Sequence, residues 1–264
     1  MFQGMSLTDF IKSFKTEDDC KQYLYDIKWK SGFICRHCAH EKCWPGRTRF
    51  HARCRQCNYD ESVTAHTAFH RIQFSLLKAF FLAYHETTLL KSVSSRNLAE
   101  LVGVNPKTAL YFAHKVRRVM GDWVSAHMEK DKIAGNCPVD SIIVTHRGKD
   151  LNGLQKVNIL LNQSRKCGRV RYIHCKAIKP DESTLNPCHL VAGKYVDEAK
   201  NIIAWNFKTG LTGVHHHCSD KYQQNYLDEY SFKFCHRNNK RHIWHSLIRW
   251  MVVGKLPEFQ RNAA

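Results

Sequence analysis

The chain has 264 residues, 43% of them hydrophobic, which is enough apolar content for a globular protein and too much for a disordered one. Lys and Arg outnumber Asp and Glu by 41 to 23, a net charge of +18 with a pI near 9.5. That excess points to a polyanionic partner, and the lack of a long apolar run excludes a membrane-spanning helix, leaving nucleic acid. The start, Met1-Phe2-Gln3-Gly4-Met5, has neither the charged region nor the apolar core of a signal peptide. Twelve cysteines without a secretion signal imply a reducing interior with free thiols, so the expectation is a cytoplasmic protein.

In chain order, residues 6–28 predict a helix whose second half is capped by Thr16. Glu17, Asp18 and Asp19 favour its positive end, and Cys20, Tyr23, Leu24 and Ile27 recur at helical spacing. Next comes Cys35-Arg-His-Cys38, fifteen residues, then Cys54-Arg-Gln-Cys57. Two thiolate pairs at this spacing can close a tetrahedral sulfur shell around Zn²⁺, whose binding supplies the folding free energy that a short module lacks. Two disulfides or reduced bystander cysteines are the alternative, and Cys43 and His37 are near enough to be substitute ligands. Trp44-Pro45-Gly46 reads as turn chemistry. Arg47, Arg49, His51, Arg53 and Arg55, facing one way, predict a basic edge on a hairpin.

From Gln73 to Leu90 a helix carries Leu76, Leu77, Phe80, Phe81 and Tyr84 on one face. A short helix follows from Ser94-Ser95 to Val102, stopped by Gly103. Asn105 as N-cap and Pro106 at the first helical position start another. Three helices with a tight Gly turn before the last predict a helix-turn-helix, against the alternative of a generic three-helix bundle. Its last helix presents Lys107, Thr108, Lys115, Arg117 and Arg118 as DNA-binding candidates, with Lys107 and Thr108 nearest to base edges or phosphates.

After about residue 137 the pattern changes to strands over 139–144, 156–162 and 169–175, the last two joined as an antiparallel hairpin by Cys167-Gly168. A helix is predicted from Asp197 to Thr209, ending at Gly210, and another from the Ser219 cap to about His236. In the latter, Tyr222, Tyr226, Tyr230 and Phe234 form a packing stripe. From Asn238 the chain reads as a basic, less ordered tail with a last amphipathic turn or two at Ile243-Trp244 and Leu247-Ile248. His215, His216, His217 and Cys218, with Cys188 and His189, lack the paired spacing of a second closed zinc site.

Gly32-Phe33-Ile-Cys35-Arg-His-Cys38, Ser62-Val-Thr-Ala65, Leu98-Ala99 with Gly103-Val104, and Val139-Asp140 recur in this order in a known family. So do Asn206-Phe207-Lys208 through His215-His216, and Lys221-Tyr222 to Tyr230. The chain resembles bacterial insertion-sequence transposases with an N-terminal zinc ribbon and an ISXO-two-like, ribonuclease H-like catalytic domain. The resemblance implies an α+β multidomain protein: an N-terminal helical segment (1–30), a zinc ribbon (31–70), a helix-turn-helix domain (71–125), a transposase domain (135–237) and a basic tail (238–264). It implies binding of double-stranded DNA, at element terminal repeats and target, by an oligomer near the nucleoid. It also implies strand cleavage and transfer with Mg²⁺ or Mn²⁺ beside the structural Zn²⁺ of Cys35, Cys38, Cys54 and Cys57.

In that family the catalytic pattern is Asp, Asp, then Asn (or Glu or His), then Lys seven residues later. Asp140 matches the first aspartate, and Asn201 and Lys208 match the last pair. The second aspartate has no counterpart: Asp181-Glu-Ser-Thr184-Leu185-Asn-Pro187 runs directly into Cys188-His189-Leu190, as if a strand had been deleted near 186–189. One carboxylate and one amide cannot bring two hard cations together unless Asp181 or Asp197 substitutes, so the expectation is an impaired transposase. The alternative is a catalytically dead DNA-binding remnant or regulator of transposition.

Overall fold

The computed structural model describes residues 5–89, 93–130, 139–145, 154–166, 169–178, 190–191, 194–195, 202–215 and 220–254. The protein is α+β, mostly helical, and divides into two compact units. The first comprises Met1–Thr88, Ser95–Val119 and Asn239–Ala264; the second comprises Leu89–Ser94 and Met120–Asn238.

The first unit opens with two helices where one was expected, α1 (Leu7–Ser13) and α2 (Glu17–Trp29). Each has its own capping box: Ser6 with Asp9, and Thr16 with Asp19. Two complete sets of start signals within ten residues favour a break over one continuous helix. The break lets Phe10 and Phe14 both reach the core. Three short antiparallel strands follow, β1 (Cys43–Pro45), β2 (His51–Cys54) and β3 (Asp60–Ser62), in the order β1-β2-β3. Then come α3 (Leu76–Thr88), α4 (Ser95–Val102) and α5 (Pro106–Lys130), the last belonging to the first unit as far as Val119.

Gly103 sits in the left-handed region at φ +65°, which turns the chain out of α4, and its carbonyl accepts from Lys78 Nζ at 2.7 Å. Asn105 Oδ1 accepts from the Lys107 N–H at 2.9 Å, the expected N-cap of α5.

Within the expected basic tail, residues 240–253 form a core element longer than the turn or two expected, and 255–264 lie outside the described residues. Lys240–His242 make one 3₁₀ turn, and α8 (Ile243–Val253) buries Ile243, Trp244, Leu247, Ile248, Met251 and Val252. Trp244 is fully buried, with ring centroids 5.5 Å from Phe10, 5.2 Å from Phe14, 5.7 Å from Phe80 and 5.4 Å from Tyr23. Met251 O accepts from the Ala68 N–H at 2.8 Å. Charge along Arg237–His242 gives the sequence its tail-like look, but the apolar stripe behind it covers α2 and α3.

In the second unit β4 (Val139–Thr145), β5 (Leu154–Lys166) and β6 (Arg169–Ile178) form an antiparallel sheet in the order β4-β5-β6. The β5–β6 pairing is the expected hairpin. A small ladder joins β7 (Leu190–Val191) to β8 (Lys194–Tyr195). The free edge of β6 is covered by α7 (Asp220–Cys235): Ser231 Oγ accepts from the Cys175 N–H at 3.0 Å, while Gln224 accepts from Ala177 N–H and donates to Cys175 O. Side chains thus satisfy the backbone groups that would otherwise template another strand. Among the described residues β4 is the other edge, and α6 (Ile202–His215) packs against it.

Helix α6 runs through Gly210, where a stop was expected, because Leu211 prolongs the stripe of Ile203, Ala204 and Phe207 into the core and Gly210 stays out of the left-handed region. Tyr222, Tyr226, Tyr230 and Phe234 pack against the same core, as their spacing predicts. At Gly121 in the second half of α5 any side chain would meet the Asp228 carboxylate, since a Cβ there would clash with Asp228 Cγ. Burial pushes Asp228 up to about 7, against the Gln224 amide that donates to it at 2.7 Å, so this acid takes up a proton near neutral pH.

Candidate metal centre and nucleic-acid interface

The two Cys-x-x-Cys segments fold into matching knuckles. In the first, the Cys35 N–H donates to His40 O and the Ala39 N–H to Cys35 O, both at 2.9 Å. In the second, the Cys54 N–H donates to Tyr59 O at 2.9 Å and the Asn58 N–H to Cys54 O at 3.1 Å. The residue after each second cysteine is left-handed, Ala39 at φ 59° and Asn58 at φ 57°.

This places Cys35, Cys38, Cys54 and Cys57 so that all four Sγ atoms lie within 4.8 Å of one another, with Cys35–Cys57 and Cys38–Cys54 at 3.5 Å. A sulfur tetrahedron with ~2.3 Å metal–sulfur bonds has edges of about 3.8 Å, so this donor set fits a structural zinc ion. The electrostatics point the same way. Desolvation opposes the Cys54 thiolate, but the backbone N–H groups of Cys57 and Gln56, together with the Cys38 and Cys57 thiols, outweigh it and bring its pKa to about 6. Cys38 is favoured by the His40 N–H, yet desolvation and the three neighbouring thiols push it up to about 12. Four thiolates share this shell only when a cation neutralises them.

Neither substitute ligand joins the set. His37 is exposed and stacks on Tyr59. Cys43 is the cross-strand partner of Cys54 in the β1–β2 ladder and lies in the ribbon's small core.

Ala39 bears the left-handed strain without the local hydrogen bonding that an Asn side chain offers. Ala39→Gly is expected to stabilise the ribbon by about 0.5–1 kcal/mol, read as slower zinc loss to a chelator and a higher melting temperature. An unchanged or lower value would show that the knuckle is not strained there.

The ribbon is fastened to α2 by a buried ion pair. Lys28 Nζ lies 2.7 Å from Glu61 Oε1 and also donates to Ser62 O at 2.8 Å and Ala65 O at 2.7 Å. Burial lowers Lys28 to about 8, against the pull of Glu61. Sequence reasoning assigned neither residue a role, because the two lie more than thirty positions apart.

Of the expected basic edge, Arg47, Arg49, Arg53 and Arg55 are exposed and His51 half-buried, but only His51 and Arg53 lie within a strand. Arg47 engages Asp60 and Arg49 pairs with Asp18 at 2.9 Å. Trp44 belongs to β1, the turn beginning only at Gly46.

On α5, Lys107 and Arg118 are exposed and Thr108 and Lys115 half-buried. Arg117 does not belong to this face. Its side chain has no exposure, and its Nη2 lies 3.1 Å from Oε1 of the equally buried Glu86 on α3. One position from Arg118 rotates a residue by about 100° around the helix, enough to move it from solvent to core. Tyr111, 64% exposed, takes its place in a stripe with Lys107, Lys115 and Arg118 at spacings of four, four and three. That spacing was available to sequence reasoning.

Among the catalytic candidates, Asp140 lies in β4 opposite Ile159. Lys208 lies half-buried on α6, where burial lowers its pKa, its Nζ 5.9 Å from the Trp205 ring centroid. The fold therefore brings the strand of Asp140 and the helix of Lys208 together. Asn201, Asp181, Asp197, the 186–189 junction, Cys188, His189, His216, His217 and Cys218 lie outside the described residues.

Residues 15–60 match the family model of the transposase zinc-ribbon domain. The match runs from the start of α2 through both knuckles to the start of β3. Curated proteins and solved structures give no match to the chain. No helix among the described residues is long and apolar enough to cross a membrane.

Proposed function

We propose that the chain is a DNA-binding protein of the insertion-sequence transposase type, holding element ends through its zinc ribbon and a helix-turn-helix made of α4 and α5. The observation that carries this reading is the four-cysteine centre within a segment matching a transposase zinc-ribbon domain. The stripe Lys107, Tyr111, Lys115 and Arg118 is the major-groove face, Thr108 adds a polar contact at its start, and the net charge of +18 draws in the duplex.

A second reading, strand cleavage and transfer, is favoured by the packing of α6, with Lys208, against β4, with Asp140. Asp140 would be an anionic ligand for Mg²⁺ or Mn²⁺, Asn201 a neutral one, and Lys208 a clamp on a phosphate. Without a second aspartate this set is one carboxylate short, so strand transfer is impaired and DNA binding is the retained activity.

Two measurements on the full chain test these readings. In the first, Lys107→Ala, Lys115→Ala and Arg118→Ala each weaken binding to a duplex, and each lowers the slope of log K against log salt by about one for every phosphate left unneutralised. Unchanged slopes in all three would remove α5 from the interface. In the second, a labelled element-end duplex is incubated with Mg²⁺ or Mn²⁺ beside an Asp140→Ala control. Binding without nicking is expected; nicking that disappears in the control restores the enzyme.

A further inference from the structure

The outward face of the β1–β2 hairpin carries an arrangement that duplex binding does not require. Strand alternation turns Cys43 and Cys54 toward the metal centre and leaves Trp44 and its cross-strand partner Arg53 on the other side. Trp44 is 52% exposed. The Arg55 guanidinium lies 3.9 Å from the centroid of the Trp44 ring, held there by a 3.2 Å hydrogen bond from its Nε to Cys43 O.

Arg53 pairs with Trp44 across the ladder and Lys42 lies two residues before it, both exposed. Among the described residues Lys42, Arg53 and Arg55 have no carboxylate within 4.0 Å. Asp60, the one acid in register with Arg53, is tucked under the turn, where it meets Arg47 and its N–H. The result is a rigid aromatic plate on a metal-stapled sheet, backed on one side by a guanidinium and bordered by uncommitted cations.

Cations alone suit duplex phosphates, but a bare π-face finds a partner only where a base is unstacked, because in B-form DNA both faces of each base are covered by neighbours. We propose that this face is a binding site for unpaired nucleic acid, with one base stacking on Trp44 and the adjoining phosphates held by Lys42 and Arg53. The proposal extends the DNA-binding reading and adds a second class of substrate to it. Contact through a π-face and phosphates is tolerant of base identity, since every base offers a π-face.

The test uses the full zinc-loaded chain with labelled oligothymidylate and, separately, a blunt duplex. Trp44→Ala is expected to weaken oligothymidylate binding about ten-fold, within the range for loss of one base–aromatic stack, and to leave blunt-duplex binding within about two-fold. Trp44→Phe keeps most of the affinity. Arg55→Lys, which keeps the charge but loses the planar backing, lies between.

Wild-type affinity for oligothymidylate in Trp44→Ala overturns the proposal, as does a wild-type chain that does not bind it. An equal loss on both probes with zinc content intact also overturns it, because the face then serves duplex. Should Trp44→Ala lose its zinc, Trp44→Phe and Trp44→Leu decide: a need for an aromatic supports the site and equal affinities overturn it. A chain that binds oligothymidylate but no blunt duplex sinks the α5 reading alone.

Discussion

Stripping the zinc, or replacing Cys54 by Ser, is expected to unfold the ribbon while the second unit keeps its structure. Three strands of three or four residues enclose a small core of Phe33, Ala52 and the cysteines themselves, with Trp29 and Tyr59 half-buried against it. Such a core cannot offset the conformational entropy of ordering the segment, whereas zinc binding in comparable modules contributes on the order of 10 kcal/mol. The ribbon also holds Glu61 over Lys28, so its loss strands a buried lysine on α2. Limited proteolysis between residues 30 and 66, with metal content measured on the same sample, reads the effect. Cys43→Ser is the control and keeps its zinc, since four other thiols already fill the shell. A ribbon that keeps its proteolytic protection after complete metal removal would make the centre a bystander.

The second large effect separates two adjacent arginines. Arg117→Ala leaves Glu86 buried without this partner and is expected to cost about 3–5 kcal/mol of stability. Replacing both partners, as Arg117→Met with Glu86→Leu, recovers most of that loss, because similar apolar volume takes the place of the pair without a stranded charge. Arg118→Ala, one residue on, changes stability by no more than about 0.5 kcal/mol and acts on duplex affinity. Denaturant unfolding and a salt titration of binding, run on the same three proteins, distinguish the roles. Wild-type stability in Arg117→Ala would falsify the assignment of Arg117 to the core.

These two arginines show where reading by spacing reaches its limit. Sequence reasoning grouped Arg117 with Lys115 and Arg118 because all are basic and close along one helix. Which of them faces solvent depends on where α3 lies, since Glu86 on α3 draws Arg117 inward. Tyr111 shares the spacing of Lys107 and Lys115, which the sequence shows, but only its exposure of 64% places it on the solvent side.

The cysteine spacing, the Thr16 cap, the Asn105-Pro106 start and the hairpin of β5 and β6 are local. Each depends on residues a few positions apart whose chemistry admits few conformations, so the amino-acid sequence by itself determined the four-cysteine centre and most of the helix starts. Other features are long-range, and only the tertiary structure decided them. Trp244 closes the core around Phe10 from more than two hundred residues away, Gly210 stays helical because Leu211 has a core to enter, and Lys28 meets Glu61 across the ribbon. In each case the deciding free energy comes from burial against a distant partner, and no pattern within one segment encodes the position of that partner.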